Sequence, residues 1–305
     1  MSVGDVFLQQ LVNGLTIGMI YALIALGYTI VYGIAQLINF AHGEVFMVGA
    51  YLGLIACGLS AALWRAGTHS LVILLFIFLF SMSFTALLGA GIERFAYRPL
   101  QEAPRLAPLI TAIGVSFLLQ NAVMLLFGPA DKSFPIVLGI KKINFGAVTL
   151  TNLQVMIGLV SSFLMILLHL FIKQSRTGKA MRALADDRQA ASLMGVDVNR
   201  VITLAFVIGS AMAGAGGVMF GMYYNTINFH DGYLAGLKAF TAAVLGGIGN
   251  IPGAMVGGIL IGVLEGLGAG YLSSEWKNVF AFFILILILL FRPSGLLGSR
   301  VVKKV

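Results

Sequence analysis

Charge is what this sequence lacks most. Only 10% of its 305 residues are Asp, Glu, Lys or Arg, against 59% hydrophobic residues and a mean hydropathy of +1.00. Soluble domains carry about 25% charged residues, so a water-soluble globule of this length is excluded, and the same figures exclude disorder. Cysteine is nearly absent: Cys57 stands alone, which excludes a disulfide scaffold. The phosphate-cradling pattern Gly-x4-Gly-Lys-Ser/Thr is missing, because Thr177-Gly178-Lys179-Ala180 lacks both the upstream glycine and the hydroxyl. There is no Gly-x-Ser-x-Gly elbow, no His-Glu-x-x-His and no Cys/His metal spacing. No catalytic residue, no metal ligand and no cofactor of its own is expected.

What is present is a series of long apolar runs, at 8–32, 44–63, 70–91, 107–127, 152–172, 201–224, 237–248, 253–272 and 278–291. At 1.5 Å per residue most can span about 30 Å of hydrocarbon. The run 237–248 is too short to cross unaided and meets the breaker cluster Gly249-Asn250-Ile251-Pro252-Gly253, so 237–272 reads as a broken or re-entrant element. The expected fold is all-α: one polytopic membrane bundle of eight to nine spans, a single domain over 1–305. No Lys or Arg precedes the first run, so that run is expected to be a retained helix and not a cleaved signal.

The few charges orient the chain. Arg94, Arg98 and Arg105; Lys173, Arg176, Lys179, Arg182, Arg188 and Arg200; and Arg292, Arg300, Lys303 and Lys304 fall in three segments that alternating spans place on one side. The positive-inside rule makes that side cytoplasmic, with the C-terminus in and the N-terminus out. This scattering among loops also speaks against nucleic acid as a partner. The loop 128–151, with Lys132, Lys141 and Lys142, falls outside against the rule. Its alternating Phe145, Val148 and Leu150 read as a short hairpin or a surface helix.

Ionisable groups inside apolar runs each require a reason. Glu44 follows Asn39-Phe40-Ala41-His42-Gly43, which reads as an unwound turn that could present backbone amides to a polar group. The plainer alternative is that His42 and Glu44 cap a helix at the interface. Glu265 either pairs with Lys238 across the bundle or lies near the outer surface. Asn39, His42, Glu44, Asn250 and Glu265 are the candidates for a translocation path. Asn13, Gln120 and Asn121 read as amides bonding between helices. Gly258, Gly262, Gly266 and Gly270 recur every fourth residue, and Gly217 and Gly221 repeat the spacing. On a membrane helix this is a smooth packing face, or one that slides during a cycle. The turns at 39–43 and 250–253 each open a Gly-rich helix, an echo of the inverted repeats that flank transporter sites.

The loop 173–200 is the most charged stretch. Ala180, Met181, Leu184, Ala190, Ala191, Leu193 and Met194 give a helix over 179–195 a small apolar face, with Asp186, Asp187 and Arg188 opposite and Gly195 as its stop. Small alanines and central acids suit a protein groove better than lipid. Gln189-Ala190-Ala191, three residues, then Gly195 resembles the Glu-Ala-Ala-x-x-x-Gly coupling signature of ABC importer permeases, with Gln in place of Glu. The whole chain resembles the branched-chain amino acid ABC transporter permeases, in their smaller, high-affinity Leu/Ile/Val subunit. Gly27-Tyr28-Thr29-Ile30-Val31-Tyr32-Gly33, Leu37-Ile38-Asn39-Phe40-Ala41-His42-Gly43-Glu44, Ala183-Leu184-Ala185-Asp186-Asp187 through Met194-Gly195-Val196, and Leu245 to Gly253 carry the likeness.

The resemblance implies a bacterial inner-membrane importer of Leu, Ile or Val. Two cytoplasmic ATP-binding subunits would spend the ATP and dock on Asp186, Asp187, Gln189, Ala190, Ala191 and Gly195. A second permease subunit would complete the path, and a periplasmic substrate-binding protein would deliver the cargo. Rival readings are a urea or short-chain amide ABC permease, and a stand-alone ion-coupled carrier or channel with Glu44, Lys238 and Glu265 as a charge relay.

Overall fold

The computed structural model describes residues 3–65, 69–101, 103–104, 106–139, 141–146, 148–271, 276–292 and 294–298. Arg105, Arg300, Lys303 and Lys304, used above to orient the chain, lie outside them. The helices are α1 (Val3–Ala35), α2 (His42–Arg65), α3 (Ser70–Ile92), α4 (Leu106–Phe127), α5 (Asn152–Gln174), α6 (Arg176–Asp186), α7 (Arg188–Leu193), α8 (Val198–Tyr224), α9 (Asp231–Gly246), α10 (Ile251–Tyr271) and α11 (Lys277–Phe291). Seven of them, α1 to α5, α8 and α10, are long and apolar enough to cross a membrane. The shorter α9 and α11 complete an all-α, multi-pass membrane bundle.

The first helix is the axis of the bundle. It packs most extensively on α10 and also on α8 and α9, while α8 covers α2 and α3. α4, at the other extreme, presents most of its surface outward. The four-residue glycine spacing becomes the α1–α10 seam. A Cβ on Gly14 would lie 2.7 Å from the Gly262 carbonyl oxygen and 2.8 Å from Val263 Cα, so the two backbones touch directly. With no hydrophobic drive between helices in lipid, such close van der Waals contact is what binds them. The packing reading of the ladder thus holds.

The element 237–272 is broken where the Gly-Asn-Ile-Pro-Gly cluster predicts. Gly247 takes φ +99°, a conformation open to glycine, and α9 and α10 run antiparallel on either side. Asn250 Oδ1 accepts from Gly253 N–H at 3.0 Å and starts α10. The carbonyls of Leu245 and Gly246 accept from Leu296 and Leu297 N–H at 2.7 and 3.1 Å, so the chain after α11 covers this turn. α9, 16 residues long, is short of the ~20 that a lipid-facing span needs, but α1, α2 and α10 enclose it.

Two ends can be told apart. Near one lie α6, α7, the turns after α1 and α9, and the chain after α11. At the other, β2 (Lys142–Phe145) pairs antiparallel with β3 (Val148–Thr151). This is the hairpin predicted for 128–151, and Gln9 of α1 holds it through Thr149 at 2.9 and 3.1 Å. Beside it β1 (Lys132–Ser133) pairs with β4 (Thr226–Ile227). One expectation is corrected here. The turns at 36–41 and 247–250 belong to hairpins that point the same way, as Gly33 against Gly249 shows, so the echo between them is not an inverted one.

Candidate functional site

The charged loop folds into a projecting pair of short helices instead of the single helix 179–195. Asp187 makes the break: it adopts an extended conformation between α6 and α7, and its Oδ1 accepts from the N–H groups of Gln189 and Ala190 at 2.8 and 2.9 Å. An aspartate at this position satisfies orphan helix donors, which is why the chain restarts a helix there. Ser175 caps α6 in the same way through Gly178 N–H at 2.9 Å. Gly195, at φ +84°, ends α7: its N–H donates to Ser192 O and Val196 N–H donates to Ala191 O, the paired bonds of a Schellman close.

The apolar face predicted for this loop is divided. Met181, Leu184 and Ala191 are buried against the bundle, whereas Leu193 and Met194 are 88% and 85% exposed at the tip of α7. Asp186, Asp187, Gln189, Ala190 and Gly195 are exposed around them. Gly178, which sequence reasoning did not single out, seats the pair, since a Cβ there would lie 2.6 Å from Ile172 Cα of α5. The result is a fixed polar knob with two exposed apolar side chains at its point.

A chain of side-chain contacts runs from the knob inward. Arg188 Nη2 donates to Gln101 Oε1 at 2.7 Å. Just before Gln101, residues 93–97 form a π-helical turn, a form concentrated at functional positions. Within it buried Glu93 accepts from Arg98 Nε and Nη2, both at 3.1 Å, and from Thr203 Oγ1 at 2.9 Å. Tyr97 OH, from the same turn, donates to Asn39 Oδ1 at 2.9 Å. Glu93 and Tyr97 could have been noticed as polar groups closing an apolar run, with Arg98 five residues after the acid.

Asn39 lies in the unwound stretch between α1 and α2, where Gln36 takes φ +53°. His42 follows, buried and edge-on to Tyr28 with ring centroids 4.7 Å apart, in the notch left by Gly27. Glu44 is 1% exposed; its Oε1 accepts from Ser116 Oγ of α4 at 3.3 Å. Both residues are buried and stand in the first turn of α2, so the helix-start part of the capping alternative holds. His42 Nε2 and Glu44 Oε2 have no hydrogen-bond partner among the described residues. Non-helical backbone at this depth is tolerated because protein surrounds it.

Glu265 does pair with Lys238, at 2.8 Å, and both are buried. Tyr21 OH donates to Glu265 Oε2 at 3.0 Å and accepts from Lys238 Nζ at 3.3 Å. Of the amides, Asn13 accepts from Gln154 of α5 at 3.0 Å and Gln120 meets His230 at 2.7 Å, whereas Asn121 bonds within its own helix. The five path candidates therefore do not form one cluster. Asn250 lines a cavity of about 1450 Å³ at the knob end, with His169, Lys173, Arg182 and Asp186. Glu265 and Lys238 line a separate one of about 190 Å³. Among the described residues no group of His, Cys, Asp and Glu is arranged to hold a metal ion.

A multi-pass helical bundle with buried charges, a wide cavity at one end and a projecting two-helix knob beside it defines a membrane permease. The chain belongs to the family of branched-chain amino acid transport system permease components, whose pattern matches residues 10–289. It is 50% identical to the high-affinity branched-chain amino acid transport system permease protein BraD of Pseudomonas aeruginosa, and 48% identical to the LivH protein of the corresponding Escherichia coli system, each over 98% of both chains. The fructose import permease protein FruG of Bifidobacterium longum is 22% identical over 89% of this chain and 82% of its own.

Proposed function

We propose that this chain, as a single domain, is one membrane-spanning subunit of an ATP-driven importer for Leu, Ile and Val in a bacterial inner membrane. The observation that carries the reading is near-full-length identity, at 48–50%, to permeases named for that transport. Lys173 and Arg182 line the cavity at the knob end and Arg188 opens α7, which supports placing that end in the cytoplasm with the C-terminus and leaving the N-terminus in the periplasm. Two ATP-binding subunits dock on the knob, through Asp186, Asp187, Gln189, Ala190, Ala191 and Gly195 and the exposed Leu193 and Met194. A second permease subunit completes the path, and a periplasmic protein delivers the amino acid.

In this mechanism closure of the ATP-binding subunits displaces α6 and α7. The Arg188–Gln101 contact passes the movement to the turn at 93–97, and Tyr97 passes it to the unwound stretch at Asn39. The segments carrying His42, Glu44 and Asn250 and the Glu265 pair then reopen toward one face or the other, which is the alternating exposure a pump needs. The test is uptake of labelled leucine by vesicles holding the complete complex. ATP depletion with the ion gradient intact is expected to abolish uptake; uptake that instead collapses with the gradient would replace the importer with an ion-coupled carrier.

A further inference from the structure

The loop 128–151, on the end opposite the knob, carries Lys132, Lys141 and Lys142. Basic residues in a short loop favour the cytoplasmic side, so these three work against the orientation that the rest of the chain sets. Lys141 and Lys142 are exposed and Lys132 is half-buried. Among the described residues none of the three makes an ion pair. Asp131, the acid nearest to them in sequence, accepts instead from Asn228 Nδ2.

The backbone holds these lysines in place. Lys141 N–H donates to Asn152 Oδ1 at 3.1 Å, Lys141 O accepts from Asn152 N–H at 3.1 Å, and Asn152 Nδ2 donates to Gly139 O at 2.8 Å. Lys141 is thereby tied to the first residue of α5. Lys142 opens β2 opposite Thr151, which caps α5 by accepting from Gln154 N–H at 3.2 Å. Lys132 stands two residues before Phe134, which is 1% exposed and fills the notch at Gly221 of α8, where a Cβ would come within 2.5 Å of its ring. A charged face fixed in this way pays little ordering entropy when a partner meets it.

We infer that this face is the docking surface for the soluble protein that delivers the amino acid, and that it receives a patch of carboxylates on that protein; the inference rests on the importer reading above. Lysines without acidic partners of their own complement such a patch, and opposite charges at the edge of an interface speed and orient encounter. Anionic lipid is the other polyanion within reach. Its recognition takes clusters of about four to eight Lys or Arg on a juxtamembrane segment or an amphipathic helix. Here there are three, on strands and a loop anchored to α1, α5 and α8, and a protein surface fits them better.

The test uses the complete complex in proteoliposomes, titrated with the leucine-loaded binding protein of its own transport system, and reads stimulated ATP hydrolysis. Lys141→Glu/Lys142→Glu is expected to raise the half-saturating concentration about tenfold at about 50 mM salt, while the rate at saturation reaches the wild-type value. At about 0.5 M salt, where exposed charges are screened within about 4 Å, the shift is expected to shrink below about twofold. Lys141→Arg/Lys142→Arg keeps the wild-type concentration. Lys141→Gln/Lys142→Gln, which introduces no new charge to disturb folding, raises it about threefold. The same shifts are expected in bilayers of phosphatidylcholine alone, which hold no anionic lipid. An unchanged half-saturating concentration in both the Glu and the Gln variants, or shifts that vanish in phosphatidylcholine, overturns the docking surface; the second result gives the lysines to lipid. A wild-type complex whose ATP hydrolysis the loaded binding protein does not raise overturns the proposed function itself, and this surface with it.

Discussion

Replacing Gly18 by alanine tests whether the α1–α10 seam governs the buried ion pair. The added methyl would stand 2.8 Å from both the Cα and the carbonyl oxygen of Ile259, and 3.1 Å from the Gly258 carbonyl oxygen. Carbon contacts are comfortable at about 3.5–4.0 Å, so the helices must separate by about 1 Å at this level. One turn further along α1, the Tyr21–Glu265 hydrogen bond is 3.0 Å long and would stretch beyond bonding range. A hydrogen bond to a charged group is worth about 1.5–3 kcal/mol, and alanine returns up to about 1 kcal/mol of helix propensity. With the lost seam packing the net cost is about 2 kcal/mol, or a fall of about 4 °C in midpoint for a chain of this size.

The single cysteine, Cys57, is buried, so a maleimide dye that fluoresces on reaction with it reports thermal unfolding of the purified permease in detergent. Gly91→Ala is the control: nothing lies within 4 Å of a Cβ at that position of α3, so only the propensity gain applies. Gly18→Ala unfolding at or above the wild-type midpoint would refute the reasoning.

Three further outcomes are expected. Asp187→Ala removes the α7 cap, costs about 1 kcal/mol locally, and reduces retention of the ATP-binding subunits on affinity purification, whereas Asp187→Asn retains them. Gly195→Val must adopt φ +84° against a penalty of about 1–2 kcal/mol; leucine uptake falls while the amount of protein in the membrane fraction, read by immunoblot, does not. Tyr97→Phe and Asn39→Ala each lose the bond between them and lower the unfolding midpoint, by about 1 kcal/mol each. In a double-mutant cycle their effects are less than additive, and strict additivity would show that the bond carries no coupling.

Most of the fold was legible in the sequence, because lipid imposes rules that act locally. Each run of apolar residues must become a helix that satisfies its own backbone, so the predicted run 152–172 became α5 at Asn152–Gln174 and 278–291 became α11 at Lys277–Phe291. The break near Asn250 and the stop at Gly195 were equally visible, since glycine, proline and asparagine act on the chain within a turn of themselves. The division of the charged loop at Asp187 was harder to see. Its composition supports one helix, and only the side chain's choice to cap Gln189 and Ala190 interrupts it. What composition could not decide was which distant polar groups meet. Glu265 finds Lys238 and Tyr21 from two other helices, Tyr97 finds Asn39, and Glu93 finds Thr203, across separations that carry no periodic signal. Helix rotation and close packing along the glycine seam bring those groups together. The sequence determined that this chain lives in a membrane and which segments are long and apolar enough to cross it; the tertiary structure decided which charges are paired and where the two cavities lie, because those depend on how whole helices approach one another.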